Sequence, residues 1–209
     1  MVSPTYPYQR VSHLQSMRGA DALPRKVVNY LLDMPMAGYE PPDDNEYARC
    51  RLMKYLYYDD ATPLVHPLPT PEEKLALVFD PERPEAPTTE KGYRIYPQAA
   101  VAQAQTKAQT ILRVYMGPTR CVGEYKTELS LVFEMLSNVA YESNATALSR
   151  TWAMECAIVD ALNGVNMDGV GTFYFDRTQH SSCGSEPIGD LDTNLGRRLI
   201  LGLSWMGRD

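Results

Sequence analysis

The sequence lacks any apolar run near the ~20 residues that a membrane-spanning helix needs. The first ten residues, MVSPTYPYQR, carry Pro4 and Pro7 where a secretory signal would need an apolar core. The four cysteines are far apart and include no C-x-x-C pair. We therefore expect neither membrane insertion nor secretion, and a reducing compartment would keep the cysteines as thiols.

Positive charge is also scarce. The chain of 209 residues has 20 Lys and Arg against 26 Asp and Glu, which gives a formal net charge of −6. Proteins that grip nucleic acid need clustered cations to displace the counterions of the phosphates. This composition therefore disfavours nucleic acid as a tightly held ligand.

Groups that could carry catalysis or bind metal are few, since only three histidines are present. His180 and Cys183, in the segment HSSCGS, raise the possibility of a thiol nucleophile or half a metal site, but a Gly- and Ser-rich loop gives them no fixed geometry. The segment NGVNMDGVGT, residues 163–172, leaves a predicted helix, whereas phosphate loops lead into one. It also lacks the ligand spacing of an EF-hand. We predict no enzyme activity, catalytic residue, cofactor or metal.

The first half of the chain contains two predicted helices and much proline. Helices are predicted over 21–32 and 45–58, and the second has an aromatic face that is typical of a core or a subunit contact, formed by Tyr47, Tyr55, Tyr57 and Tyr58. Residues 61–98 read as extended arms and loops, because proline interrupts strand ladders, with one short strand in KLALVF, residues 74–79. Residues 99–109 fit a short helix or a connector.

The second half has clearer periodicity. Strands are predicted over 110–116 and 126–136, then a helix over 147–163 capped by Asn144 or Thr146. Strand 171–177, a polar loop over 178–194 and a closing strand over 196–207 follow. The residues expected to face inward are Leu129, Leu131, Phe133 and Met135 on the hairpin, Leu148, Trp152, Val159 and Leu162 on the helix, and Leu199, Leu201, Leu203 and Trp205 on the last strand.

These elements predict an α+β fold, in which a small antiparallel β-β-α-β-β sheet packs on one main helix. The domain division is a helical and Pro-rich arm region over 1–98 and a core over 99–209.

The second half resembles the neck proteins of tailed bacteriophages, of the tail terminator, tail completion or head-tail connector type. The resemblance lies in the order and spacing of ILRVYMG, KTELSLVFEMLSN, TWAMECAIVDALNG, VGTFYFDR and RRLILGLSWMG, with GYRIYPQ, residues 92–98, before them. It implies a virion structural protein, made in the host cytoplasm, whose subunits form a ring, expected to be a hexamer. It also implies other neck, connector or tail-tube proteins as partners and DNA only as transiting cargo, which an acidic surface would suit.

We take five residues on the strands as candidate subunit contacts: Arg113, Tyr115, Arg197, Arg198 and Trp205. Arg197 and Arg198 follow Asp190 and Asp192, with which they could pair across subunits. Two alternatives stay open. A cytoplasmic α+β module that binds a small molecule or peptide predicts a monomer or dimer with an apolar pocket, and a thiol enzyme predicts that Cys183→Ser abolishes activity.

Overall fold

The protein adopts a mixed α+β fold with a curled, mostly antiparallel sheet and several helices. In this computed structural model, the residues described are 20–33, 44–84, 87, 89–99, 108–121, 126–142, 149–167, 171–176, 183–189 and 193–206. The predicted α+β class is confirmed. Within these ranges no helix has the length and apolar character required to span a bilayer.

Five α-helices lie in the described ranges: α1 (Leu23–Leu32), α2 (Asp44–Tyr57), α3 (Pro71–Ala76), α4 (Val139–Glu142) and α5 (Arg150–Leu162). Short 3-10 turns cover Ala20–Ala22 and Pro63–Val65. The helices predicted over 21–32 and 45–58 are confirmed by α1 and α2. Ser149 caps α5 by accepting a hydrogen bond from the backbone N–H of Trp152, in place of the caps predicted at Asn144 and Thr146.

In the described residues the sheet contains eight strands: β1 (Ile95–Tyr96), β2 (Thr110–Met116), β3 (Arg120–Cys121), β4 (Lys126–Asn138), β5 (Asn166–Met167), β6 (Gly171–Tyr174), β7 (Gly184–Gly189) and β8 (Asn194–Met206). The path β1-β2-β4-β8-β6-β5 orders six of them. Strands β2 and β3 pair with successive parts of β4, and β7 and β6 with successive parts of β8. The two 13-residue strands β4 and β8 are therefore adjacent at the centre.

One face of the sheet carries the helices and the main core. Leu129, Leu131, Phe133 and Met135 are fully buried and form one hydrophobic cluster with residues of α1, α2 and α5. Burial of each such side chain contributes ~1.5–3 kcal/mol. Leu199, Leu201 and Leu203 of β8 join the same cluster, as predicted. The β-β-α-β-β arrangement on one main helix is not confirmed, because α1 and α2 contribute to this core alongside α5.

Three local predictions are wrong. Residues 71–76, predicted as extended chain leading into a strand over 74–79, form α3, whose start is fixed by a capping box between Thr70 and Glu73. The predicted polar loop contains β7, which pairs with β8. Trp152 is 42% exposed, because a different face of α5 is turned to the core, formed by Ala153, Met154, Ala157, Ile158, Ala161 and Leu162.

Several other predictions stay untested. Most of the segment 99–109 and Leu148 lie outside the described residues, as do Asn144 and Thr146, in whose place Ser149 caps α5. The domain boundary between residues 98 and 99 stays a prediction. Described residues on both sides of it, such as Leu52 and Leu131, share one hydrophobic cluster.

Candidate interaction site on the second sheet face

Four charged residues form a row across the sheet on the face opposite α1, α2 and α5. Arg113 of β2 pairs with Glu134 of β4, Glu134 with Arg198 of β8, and Arg198 with Glu186 of β7. Side chains alternate between the two faces of a strand, so residues in register share a face. We call these four residues the charged row, in which the sign alternates from arginine at the β2 end to glutamate at the β7 end.

Glu134 holds the middle of the charged row. Its Oε1 accepts a hydrogen bond from the Tyr115 hydroxyl at 2.7 Å, and two from Arg198, from Nε at 3.0 Å and from Nη2 at 2.8 Å. Its Oε2 lies 3.5 Å from Nη1 of Arg113. Glu134 is only 6% exposed. A buried carboxylate is tolerated only when it is paired and hydrogen-bonded, and these three side chains supply both conditions.

The outer part of the charged row is open to solvent. Arg198 also donates from Nη1 to Glu186 at 2.8 Å, and the Glu186 side chain is 57% exposed. Exposed pairs of this kind stabilise by under about 1 kcal/mol. The contacts of Glu134 therefore hold the row in place, while Glu186 is available to a neighbouring molecule.

Burial and hydrogen bonding shift two ionisation equilibria here. Burial first, and then the hydrogen bond to Glu134, raise the pKa of Tyr115 to about 12. The hydrogen bond to Glu134 also raises the pKa of Arg198, which keeps that guanidinium charged. Both shifts preserve the protonated forms, so the row keeps its donors at neutral pH.

A small aromatic cluster covers one end of this face. Phe79, Tyr93 and Tyr96 pack with Ile111 and Leu136, the rung of the sheet next to the charged row. The Tyr96 hydroxyl donates to the carbonyl of Tyr93 at 3.0 Å, so this hydroxyl has its hydrogen-bond partner within the cluster. On this face of the sheet, the charged row therefore has a packed aromatic cluster as its neighbour.

The structure brings together three of the five predicted contact residues, Arg113, Tyr115 and Arg198, around Glu134. Arg197 points to the helical face, where it pairs with Glu155 and stacks over Trp152 with 4.3 Å from its guanidinium carbon to the ring centroid. Trp205 pairs through its backbone with Thr127 of β4.

The predicted partners of the two arginines differ from those in the structure. Arg197 and Arg198 bond Glu155, Glu134 and Glu186 of their own chain. Asp190 and Asp192, the partners proposed across subunits, lie outside the described residues. Sequence reasoning missed Glu134 and Glu186 as partners. The alternation of β4 did place Glu134 on the face away from the core, but only the strand register shows which arginines meet it.

The chemistry available to this site is pairing of charges. Within the described ranges, no group of three or more His, Cys, Asp or Glu is arranged to hold a metal ion. Cys183 is buried and its thiol donates to the carbonyl of Tyr174 at 3.1 Å, while His180 lies outside the described residues. No protein family, curated protein or solved structure matches this chain.

Proposed function

We propose that this chain is a non-enzymatic structural protein of the neck or tail end of a tailed bacteriophage. Its subunits associate head to tail into a ring of about six copies, which joins tail to head and lets DNA pass. Its partners in the virion are further neck, connector or tail-tube proteins. The resemblance of the strand and helix segments to neck proteins is the starting point of this proposal.

The observation that carries the proposal is the polarity of the charged row. Head-to-tail association requires two different, complementary surfaces on each subunit. The row has Arg113 towards one side of the sheet and the exposed Glu186 at the other. The β7 side of one subunit therefore offers a carboxylate to the side of the next subunit that carries Arg113.

Two further features support a ring around DNA. The net charge of −6 is compatible with a passage through which DNA moves without being retained. The core under the helices and the hydrogen bonds of Glu134 hold the strands of the sheet in place, and preorganised surfaces lose little entropy on association.

The test is the mass of the purified full chain in solution, measured by light scattering over a range of protein concentration and ionic strength. A discrete species at about six or about twelve times the chain mass of 23.5 kDa supports the proposal. Electron microscopy of that species then shows whether it is a closed ring.

The proposal of a ring would be overturned if the protein stayed monomeric at every concentration, both alone and after mixing with candidate neck and tail-tube proteins. That result would favour the alternative of a small-molecule or peptide binding module. A ring that appears only after mixing would support the proposal and identify the partner that starts assembly.

A further inference from the structure

Asn163 and Gly164 form the one Asn-Gly pair in the sequence, at the point where α5 ends and the chain turns towards β6. Such a pair is particularly prone to deamidation, because glycine has no Cβ to shield its backbone nitrogen from the preceding side chain. Both residues are exposed, so water reaches them. Residues 162–165 meet residues 173–175 here, and we call this contact the α5–β6 junction.

Deamidation at such a pair proceeds in two steps. The nitrogen of Gly164 attacks Cγ of Asn163, which closes a ring. The bond from Cγ to the side-chain nitrogen breaks, and ammonia leaves with the proton of the attacking nitrogen. Water then opens the ring at one of its two carbonyls and leaves aspartate or isoaspartate at position 163. The reaction consumes no reactant other than water.

The α5–β6 junction opposes the first step through hydrogen bonds on both reacting groups. The N–H of Gly164 donates to the carbonyl of Phe173 at 2.8 Å, and Oδ1 of Asn163 accepts from the N–H of Phe175 at 2.9 Å. A parallel bridge also joins Asn163 to Phe173. The attacking nitrogen and the side chain that it must attack are therefore both tied to the end of β6.

The backbone of Asn163 also has the wrong conformation for ring closure. Its ψ is 123°, which turns the Gly164 nitrogen away from the Asn163 side chain. Closure requires that this nitrogen and Cγ lie on the same side of the Cα–C bond, so the peptide must rotate about ψ. That rotation breaks the hydrogen bond from Gly164 to Phe173, and Phe173 is fully buried in the main core.

We propose that Asn163–Gly164 is a deamidation site that the α5–β6 junction keeps closed, and that it reacts only while the junction is open. Local opening of a folded protein has its own free energy, and a reaction that needs the open form slows as the open population falls. Either product places a carboxylate at the C-terminal end of α5, where the helix dipole disfavours negative charge. The site is independent of the charged row and of the ring.

The first experiment compares the full chain in native buffer with the same chain unfolded in urea, at equal pH and temperature. Peptide mapping by mass spectrometry follows the loss of asparagine at position 163. We expect this loss to be at least about tenfold slower in the folded chain, because only the open fraction reacts. Equal rates in the two states would overturn the proposal.

A matched pair of variants tests the contact of the Asn163 side chain. Phe175→Pro removes the N–H that donates to Asn163, whereas Phe175→Ala retains it and truncates the same exposed side chain. In native buffer, Phe175→Pro should therefore lose its asparagine several-fold faster than Phe175→Ala. The same rate in both variants would contradict the proposal.

Hydrogen exchange in wild type decides the question if Phe175→Pro does not fold. Exchange of the Gly164 N–H and deamidation both require that its hydrogen bond to Phe173 opens. A slowing of exchange comparable to the slowing of deamidation supports the proposal. A Gly164 N–H that exchanges as fast as in an unfolded chain overturns it.

Discussion

Arg198 and Glu134 lie directly opposite each other on the two central strands, and Nε and Nη2 of Arg198 both donate to Oε1 of Glu134, at 3.0 and 2.8 Å. Tyr115 donates to the same oxygen. One carboxylate thus links β2, β4 and β8 on the face opposite α1, α2 and α5. This contact orients Arg198 toward Glu186 and so defines the charged row.

Glu134→Gln should lower the free energy of unfolding by about 1–3 kcal/mol, because it leaves partly buried arginines without their counter-charge. Urea unfolding measures the change. Glu186→Gln is the matched control, and it should change stability by less than about 1 kcal/mol because its side chain is 57% exposed. Equal losses for the two variants would show that Glu134 does not organise the row.

Arg150 should be among the most sensitive positions in the chain. It is fully buried and donates to the backbone carbonyls of Tyr55 at 3.1 Å and Tyr58 at 2.6 Å, and to that of Asp60. Arg150→Met removes these donors and leaves unsatisfied the carbonyls in the last turn of α2 and just after it, so we expect a loss of about 3–5 kcal/mol in urea unfolding.

The control for this variant is Arg25→Met, at an exposed position of α1, with an expected change within about 0.5 kcal/mol. A loss below about 1 kcal/mol for Arg150→Met would mean that water replaces the guanidinium at little cost.

The capping box of α3 gives a smaller and local prediction. The Thr70 side chain accepts from the backbone N–H of Glu73 at 3.3 Å, and the Glu73 carboxylate accepts from the backbone N–H of Thr70 at 2.7 Å. Thr70→Ala should therefore destabilise the protein by about 1 kcal/mol in thermal or urea unfolding. Glu72→Ala changes an exposed neighbour in the same turn and should have little effect. A similar loss in both variants would count against the cap.

This helix also shows where local sequence signals mislead. The segment KLALVF has the apolar content of a strand, but Thr70, Pro71 and Glu73 upstream form a helix start that overrides it. By contrast, β4 and β8 are long strands in which apolar residues recur at every second position, from Leu129 to Met135 and from Leu199 to Leu203, so their inner faces are predictable. β7, with the sequence GSEPIG, has low intrinsic strand preference and exists because β8 pairs with it, which no local signal reveals.

The candidate site was predictable in part for the same reason. Arg113, Tyr115 and Arg198 lie on strands whose periodicity is visible in the sequence. Their meeting at Glu134 depends on the register between β2, β4 and β8, and register is a long-range property. Trp152 was assigned inward because it falls at helical spacing with Leu148, Val159 and Leu162, whereas the residues of α5 that face the core include Met154, Ala157 and Ile158.

Alkaline pH should destabilise the protein through its tyrosines. The pKa is raised to about 12 in Tyr115 and Tyr57, in each case by burial first and then by a hydrogen bond to a glutamate. An unfolded tyrosine ionises near pH ~10. Between about pH 10 and 12 the unfolded chain therefore binds fewer protons than the folded chain, and stability falls as pH rises.

Urea unfolding from pH 9 to 11 measures how steeply the free energy of unfolding falls with pH. The absorbance of tyrosinate follows the ionisation directly. Tyr115→Phe removes one of the shifted groups and should reduce the slope relative to wild type. An unchanged slope in Tyr115→Phe, together with ionisation of every tyrosine near pH ~10, would contradict the shift.

Charge reversal at Glu186 tests the polarity on which the proposed ring depends. Glu186→Arg should reduce the assembled fraction in light scattering at low ionic strength, because an arginine then faces the side of the next subunit that carries Arg113. Raising the salt concentration should weaken assembly of wild type and narrow the difference between the two proteins. Glu72→Arg makes the same change of charge on α3 and should assemble as wild type does. If Glu186→Arg assembles normally while its unfolding free energy is unchanged, the contact between subunits lies elsewhere, and a ring would have to use a different pair of surfaces.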